Sequence, residues 1–102
     1  MDEREVIVGI ALEEACLTLQ QLAATGAVDV TWVQHRIEEG LLPRVEESEG
    51  EWRFSSATLT RVRRMHGIER DFDAAPELAA LFADLLEELD EARRLLGRGS
   101  RR

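Results

Sequence analysis

The spacing of apolar residues changes along this chain, and each change marks an element. Val6, Ile7, Val8 and Ile10 gather β-branched side chains, so a short strand is expected at 5–10. From Thr18 the pattern turns helical. Thr18 stands three residues before Gln21, the spacing at which a hydroxyl and an amide side chain satisfy each other's backbone N–H. A helix is expected at 19–25, stopped by Gly26 in a left-handed conformation. Asp29 can cap a second helix at 30–39, whose Val30, Val33 and Ile37 fall on one face. Gly40 closes it, and Leu41, Leu42 and Pro43 lead out in extended form.

Two short helices joined by a tight glycine-containing turn are the signature of a helix-turn-helix. The segment RVEESEGEWRF then predicts two short strands, at 44–46 and 52–54, with Ser48, Glu49 and Gly50 turning between them. Such a hairpin after the second helix would be the wing of a winged helix-turn-helix. Trp52 and Phe54 alternate with Arg53, which suits two aromatic core anchors. Ser55 or Ser56 can cap a third helix at 57–70. Its stripe runs through Leu59, Val62, Met65 or His66, and Ile68 or Glu69, and Gly67 weakens it by about 1 kcal/mol relative to Ala.

The fourth segment is the most regular. Asp73 can cap and Pro76 suits a first turn, so a long helix is expected at 75–96. Leu78, Phe82, Leu85, Leu89, Ala92 and Leu96 are spaced by fours and threes, an a/d seam over almost three heptads. Leu81, Leu86 and Leu95 widen it. A stripe this wide can serve both the head and a second copy of the same helix, so a homodimer through this seam is expected. The fold class expected is therefore mainly α: a winged helix-turn-helix head at about 17–72, then a long amphipathic helix, in a single domain over the 102 residues.

Charge changes the picture next. The net charge is -8, and every side-chain cation other than the two histidines is an arginine. A field of that sign repels phosphate and attracts basic protein surfaces. Cys16 is the only cysteine, which excludes an internal disulfide, fits a reducing compartment and suits a small buried apolar group. No signal-peptide pattern opens the sequence, and no apolar run approaches the roughly 20 residues of a membrane span, so a cytoplasmic protein with no membrane partner is expected.

Catalytic constellations are missing from the pattern. His35 and His66 fall on different expected helices, far from Cys16, so spacing gives no zinc site. There is no glycine-rich phosphate loop and no tyrosine. The adjacent pairs Glu13-Glu14, Glu38-Glu39 and Glu87-Glu88 diverge by about 100° on a helix and cannot share an acid-base site. The expectation is no enzyme, no metal and no cofactor.

DNA and protein then compete as partners. A recognition helix at 30–39 would offer Thr31, Gln34, His35 and Arg36 to base edges, with Gln34 suited to adenine and Arg36 to guanine. Arg61, Arg63, Arg64 and Arg70 would supply phosphate contacts, Arg61 and Arg64 standing one turn apart. Against this, Glu46, Glu47, Glu49 and Glu51 load the wing with acids that would face phosphates. The last helix sets Asp84, Glu87, Glu88, Asp90 and Glu91 around its apolar seam, which suits docking on a basic, partly apolar protein surface. DNA is thus the less favoured partner.

The order LTLQQLAATG, VTWVQHRIEEGLLP, WRFS and LTRVRRMHGIERDFDAAPELAALFADLLEELDEARRLL resembles the chaperone modulator CbpM family, over about residues 16–96. The stretch from Trp52 through Asp71, Phe72 and Asp73 into the leucine-acidic helix is the more specific part. The first 16 residues, Gly67 and the Ala-Ala-Pro at 74–76 depart from the pattern. The resemblance implies a MerR-like winged helix-turn-helix head. It also implies binding to the J domain of a DnaJ-like co-chaperone, CbpA, with inhibition of its work with DnaK and of its DNA binding. No residue-level contact is carried over by a matched motif. Charge and exposure point to Asp84, Glu87, Glu88 and Glu91 as the partner-binding residues.

Overall fold

A computed structural model describes residues 17–43, 46–48 and 50–100, of which 46–48 and 98–100 are described by backbone alone. The expected strand at 5–10, Cys16 and Arg44 lie outside the described residues. The described architecture is mainly α. Its elements run α1 (Leu19–Gly26), α2 (Val30–Glu38), β1 (Glu46–Ser48), β2 (Glu51–Arg53), α3 (Ser56–Phe72) and α4 (Pro76–Ser100).

Helix α1 opens on the reciprocal cap read from its sequence. The Gln21 N–H donates to Thr18 Oγ1 at 3.1 Å, and the Thr18 N–H donates to Gln21 Oε1 at 2.9 Å. Its end differs from expectation. Gly26 stays helical, and the left-handed residue is Ala27, at φ 60°. The glycine answers a packing need instead: a Cβ on Gly26 would lie 2.9 Å from Val62 Cγ1 of α3, so only hydrogen fits. Arg63 Nη2 donates to the Thr25 carbonyl at 3.2 Å and satisfies one of the acceptors that a helix end leaves open. Asp29 precedes α2 without a side-chain cap, and Gly40 ends that helix at φ 79°, where glycine carries no steric cost.

The strands of the hairpin lie nearer its turn than the sequence suggested, at 46–48 and 51–53 in place of 44–46 and 52–54. β1 pairs antiparallel with β2 in the register Glu46↔Arg53, Glu47↔Trp52 and Ser48↔Glu51. Gly50 stands between the two strands at φ 81°. Beyond β2, Phe54 exchanges two 2.9 Å backbone hydrogen bonds with Leu17, which ties the segment before α1 to the hairpin. Phe54 is fully buried, whereas Trp52 is half-buried and meets it edge-on at 6.5 Å.

Ser55 caps α3 by accepting the Thr58 N–H at 3.1 Å. The helix runs through Gly67 without interruption to Phe72. Asp73 is then the left-handed C-cap of α3, φ 54°, and not the cap of α4 that its spacing suggested. The Ala75 carbonyl instead receives the Leu78 and Ala79 N–H groups, each at 3.0 Å, and α4 starts at Pro76. It extends past the expected end at Leu96 to Ser100.

The core joins Leu22 and Ala23 of α1, Val33 and Ile37 of α2, Leu42, Phe54, and Val62 and Met65 of α3. From α4 it takes only Ala79, Ala80 and Ala83. No buried side-chain nitrogen or oxygen among the described residues lacks a hydrogen-bond partner. Helix α4 therefore doubles back on α3 through its smallest side chains, and its large ones face elsewhere.

Candidate functional site

Three faces of α4 follow from its sequence, because residues three and four apart share a face. The first is the alanine face, flush against the head. Small side chains let the α3 and α4 backbones approach closely, and charged pairs then close the edge of the contact. Arg61 Nη1 donates to Asp84 Oδ1 at 2.8 Å and to Glu87 Oε2 at 3.0 Å, while its Nε donates to the Leu41 carbonyl at 2.9 Å. Arg64 donates to Asp90 at 2.7 Å. Burial opposes the charge on Arg61, but the hydrogen bonds it donates to Asp84 and Glu87 outweigh it, and the guanidinium is held protonated above its ordinary range. Two of the expected partner-binding acids, Asp84 and Glu87, thus also hold the helix to the head. Their side chains remain 54% and 48% exposed, so each still faces water.

The second face is the apolar seam. Leu78, Phe82, Leu85, Leu89 and Leu96 are between 43% and 70% exposed, Ala92 is exposed, and Leu81 and Leu95 beside them are exposed as well. The expectation that the seam would serve the head and a second surface together is corrected here: the alanine face serves the head, and the seam is left at the surface. Leu86 alone leans toward the head and is half-buried. A contiguous exposed apolar stripe of this kind is uncommon on a monomer and marks an interaction surface.

The seam ends in a hollow. At the α3–α4 elbow, Ile68, Phe72, Ala74, Ala75, Leu78 and Phe82 surround a concavity of about 410 Å³, with Asp73 at its lip. Phe72 is 76% exposed there. Sequence reading missed this feature, because the run DFDAAPE reads as a break, and its hollow exists only once both helices are placed.

The third face is the acidic shoulder. Glu88 and Glu91 are exposed, and Glu91 accepts from Arg94 one turn on. Together with Asp84 and Glu87, which border the contact with α3 through Arg61, they make one side of α4 acidic.

The residues proposed for DNA are divided by the structure. Thr31, Gln34 and His35 are exposed on α2. Arg36 is not available in the same way. Its Nε and Nη2 clamp both oxygens of Glu69 at 3.0 and 2.9 Å, its Nη1 reaches Glu39 at 3.2 Å, and its guanidinium lies 4.8 Å from the Trp32 ring. Trp32 Nε1 donates to the same Glu69 carboxylate at 3.0 Å, and His66 meets Trp32 edge-on at 5.6 Å. The hydrogen bond to Glu69, which outweighs burial, raises Arg36 above its ordinary range. Arg61 and Arg64 are occupied on α4, and Arg70 pairs with Asp71. Glu69, beside Arg70 in sequence, is taken by Arg36. A bidentate clamp between α2 and α3 was not legible from the spacing, since 33 residues separate its ends.

Among the described residues, no cluster of His, Cys, Asp and Glu is arranged to hold a metal ion, and no helix is long and apolar enough to cross a membrane. Comparison with family models, with curated proteins and with solved structures gives no match.

Proposed function

We propose that this chain is a non-enzymatic, protein-binding regulator that docks on the J domain of a DnaJ-like co-chaperone, of the CbpA kind, and inhibits its work with DnaK and its DNA binding. The observation that carries the reading is the composition of α4: carboxylates of Asp84, Glu87, Glu88 and Glu91, all exposed, beside an apolar stripe. A basic helical face on a partner would meet this shoulder by charge, and the net charge of -8 would speed the encounter. The resemblance to the chaperone modulator family points the same way. In this reading α1 and α2 are the helix-turn-helix, β1 and β2 the wing, and the whole a MerR-like head that supports α4.

A DNA-binding regulator is the competing reading, favoured by the exposure of Thr31, Gln34 and His35 on α2. Against it stand the commitment of Arg36 to Glu69 and of Arg61 and Arg64 to α4. The arginine suited to guanine is already neutralised by an intramolecular carboxylate.

The test is functional. Added to DnaK with a J domain, the chain should suppress the stimulation of ATP hydrolysis by that J domain while leaving the basal rate of DnaK unchanged. Undiminished stimulation at saturating chain would overturn the proposal.

A further inference from the structure

The head carries a recess that neither the α4 contact nor the Glu69 clamp uses. The first turn of α1, the exposed side of α2 and the hairpin turn converge on a cleft of about 370 Å³, lined by Leu19, Gln20, Gln34, Gly50, Glu51 and Trp52. Leu19 and Trp52 are half-buried and give it apolar walls, while Gln20, Gln34 and Glu51 are exposed. The helix period explains why Gln34 is there. Val33 and Ile37 turn one side of α2 into the core, and Trp32 and Arg36 turn another toward Glu69 of α3, which leaves Gln34 on the side of the hairpin.

The chemistry of this cleft selects a cation. Among the described residues that line it, the only formal charge is the carboxylate of Glu51. Glu38, also exposed, stands one turn beyond Gln34 on α2. The amide oxygens of the two glutamines can accept hydrogen bonds, and an indole is the ring that attracts cations most strongly. An anion finds less: Glu51 repels it, and the N–H groups of Thr18 and Gln21 are taken up by their reciprocal cap. One local cation competes. Arg53 lies 3.8 Å from Glu51, the longest ion pair among the described residues, and the Glu51 side chain is 63% exposed. A pair that loose and that wet contributes little, so a better-placed donor can displace it.

A guanidinium suits the cleft better than an ammonium. Its planar fork can lie against the indole and still donate to a carboxylate and an amide oxygen together. Free arginine suits it less, because its own α-carboxylate would meet Glu51; within a peptide that charge is absent.

We propose that the cleft between α1, α2 and the hairpin turn receives an arginine side chain from a protein partner. Glu51, Gln20 and Gln34 are its acceptors, and Trp52 is the wall on which the guanidinium stacks. Gln34, assigned to adenine in the DNA reading, then serves a protein contact. The proposal does not rest on the co-chaperone reading, which uses the acidic side of α4.

The probe is the capped peptide acetyl-Gly-Ala-Arg-Ala-Gly-amide, titrated into the isotope-labelled full chain while its amide resonances are followed. Saturating shifts are expected at Leu19, Gln20, Gln34, Gly50 and Trp52, with a dissociation constant in the millimolar range for so small a ligand. The citrulline analogue, of the same shape without the charge, should bind about tenfold more weakly, and the lysine analogue should also bind more weakly than the arginine peptide. Glu51→Gln should weaken binding of the arginine peptide by about fivefold, whereas Glu88→Lys, on α4, should leave it unchanged. Shifts confined to α4, equal binding by the citrulline or the lysine analogue, indifference to Glu51→Gln, or the absence of saturation would each overturn the proposal. A DNA duplex that shifts the same five residues in preference to the peptide would overturn it too.

Discussion

Arg61 and Asp84 meet at 2.8 Å across the contact between α3 and α4, and the same guanidinium also holds Glu87 and the Leu41 carbonyl. One side chain therefore joins three parts of the chain: the lead-out from α2, the middle of α3 and the middle of α4. Its own side chain is nearly buried, whereas both carboxylates keep contact with water. Arg61→Ala should destabilise the fold by about 1–3 kcal/mol, toward the lower end because the freed acids rehydrate. The urea midpoint reports the loss. A midpoint unchanged within error would mean that the alanine face alone holds α4 in place.

Glu69 predicts a pH dependence. Burial favours its neutral form, but hydrogen bonds from Arg36 and Trp32, and the charge of Arg36, hold its carboxyl below the ordinary value of 4.5. A group depressed in the folded state contributes stability that is fully present above its unfolded value and is lost as pH falls through its folded one. Glu69→Gln should cost about 1.5–3 kcal/mol near neutral pH, the range of a charged hydrogen-bonded pair. The difference between variant and parent should shrink below about pH 4.5. Denaturation curves at neutral and acid pH check this; a gap that does not narrow would remove Glu69 as its source.

Gly26 and Val62 predict a coupled pair. A methyl group on Gly26 would press on Val62 Cγ1, so Gly26→Ala should destabilise by about 1–3 kcal/mol despite the better helix propensity of alanine. In a Val62→Ala background the same change should cost less, since the obstructing methyl is gone. A double-mutant cycle on thermal denaturation measures the coupling, and additive effects would show that the two sites do not press on each other.

Ala27 predicts a gain. It ends α1 at φ 60°, a conformation that penalises any Cβ, while its N–H serves the carbonyls of Ala23 and Ala24. Ala27→Gly should stabilise by about 0.5–1 kcal/mol, the steric relief partly offset by the greater freedom of glycine in the unfolded chain. A raised melting temperature checks it, and a lowered one would mean that the methyl group packs usefully.

Local signals in the sequence carried most of the secondary structure. The Thr18–Gln21 cap, the Gly40 stop, the serine cap of α3 and Pro76 in the first turn of α4 each act within a few residues, so spacing alone reveals them. Packing was less legible. Gly26 resembled a stop signal because glycine serves two needs, and its contact with Val62 is tertiary. Leu78 to Leu96 formed the clearest pattern in the chain, yet the head is held by Ala79, Ala80 and Ala83. Alanine carries little hydrophobic signal, and a close helix contact selects for that smallness. Arg36 resembled a base reader until Glu69, 33 residues away, was placed beside it. The acidic shoulder was legible as a charge pattern, but the double duty of Asp84 and Glu87 was not.

The central claim is that the acidic shoulder of α4 binds a J domain. Calorimetric titration of the chain into an isolated J domain, at low and at physiological salt, tests it most directly. The account predicts saturable binding that weakens as salt screens the contact, and at least a tenfold loss for Glu88→Lys combined with Glu91→Lys, both outside the Arg61 network. No binding at either salt concentration, or binding indifferent to both salt and the charge reversal, would contradict it.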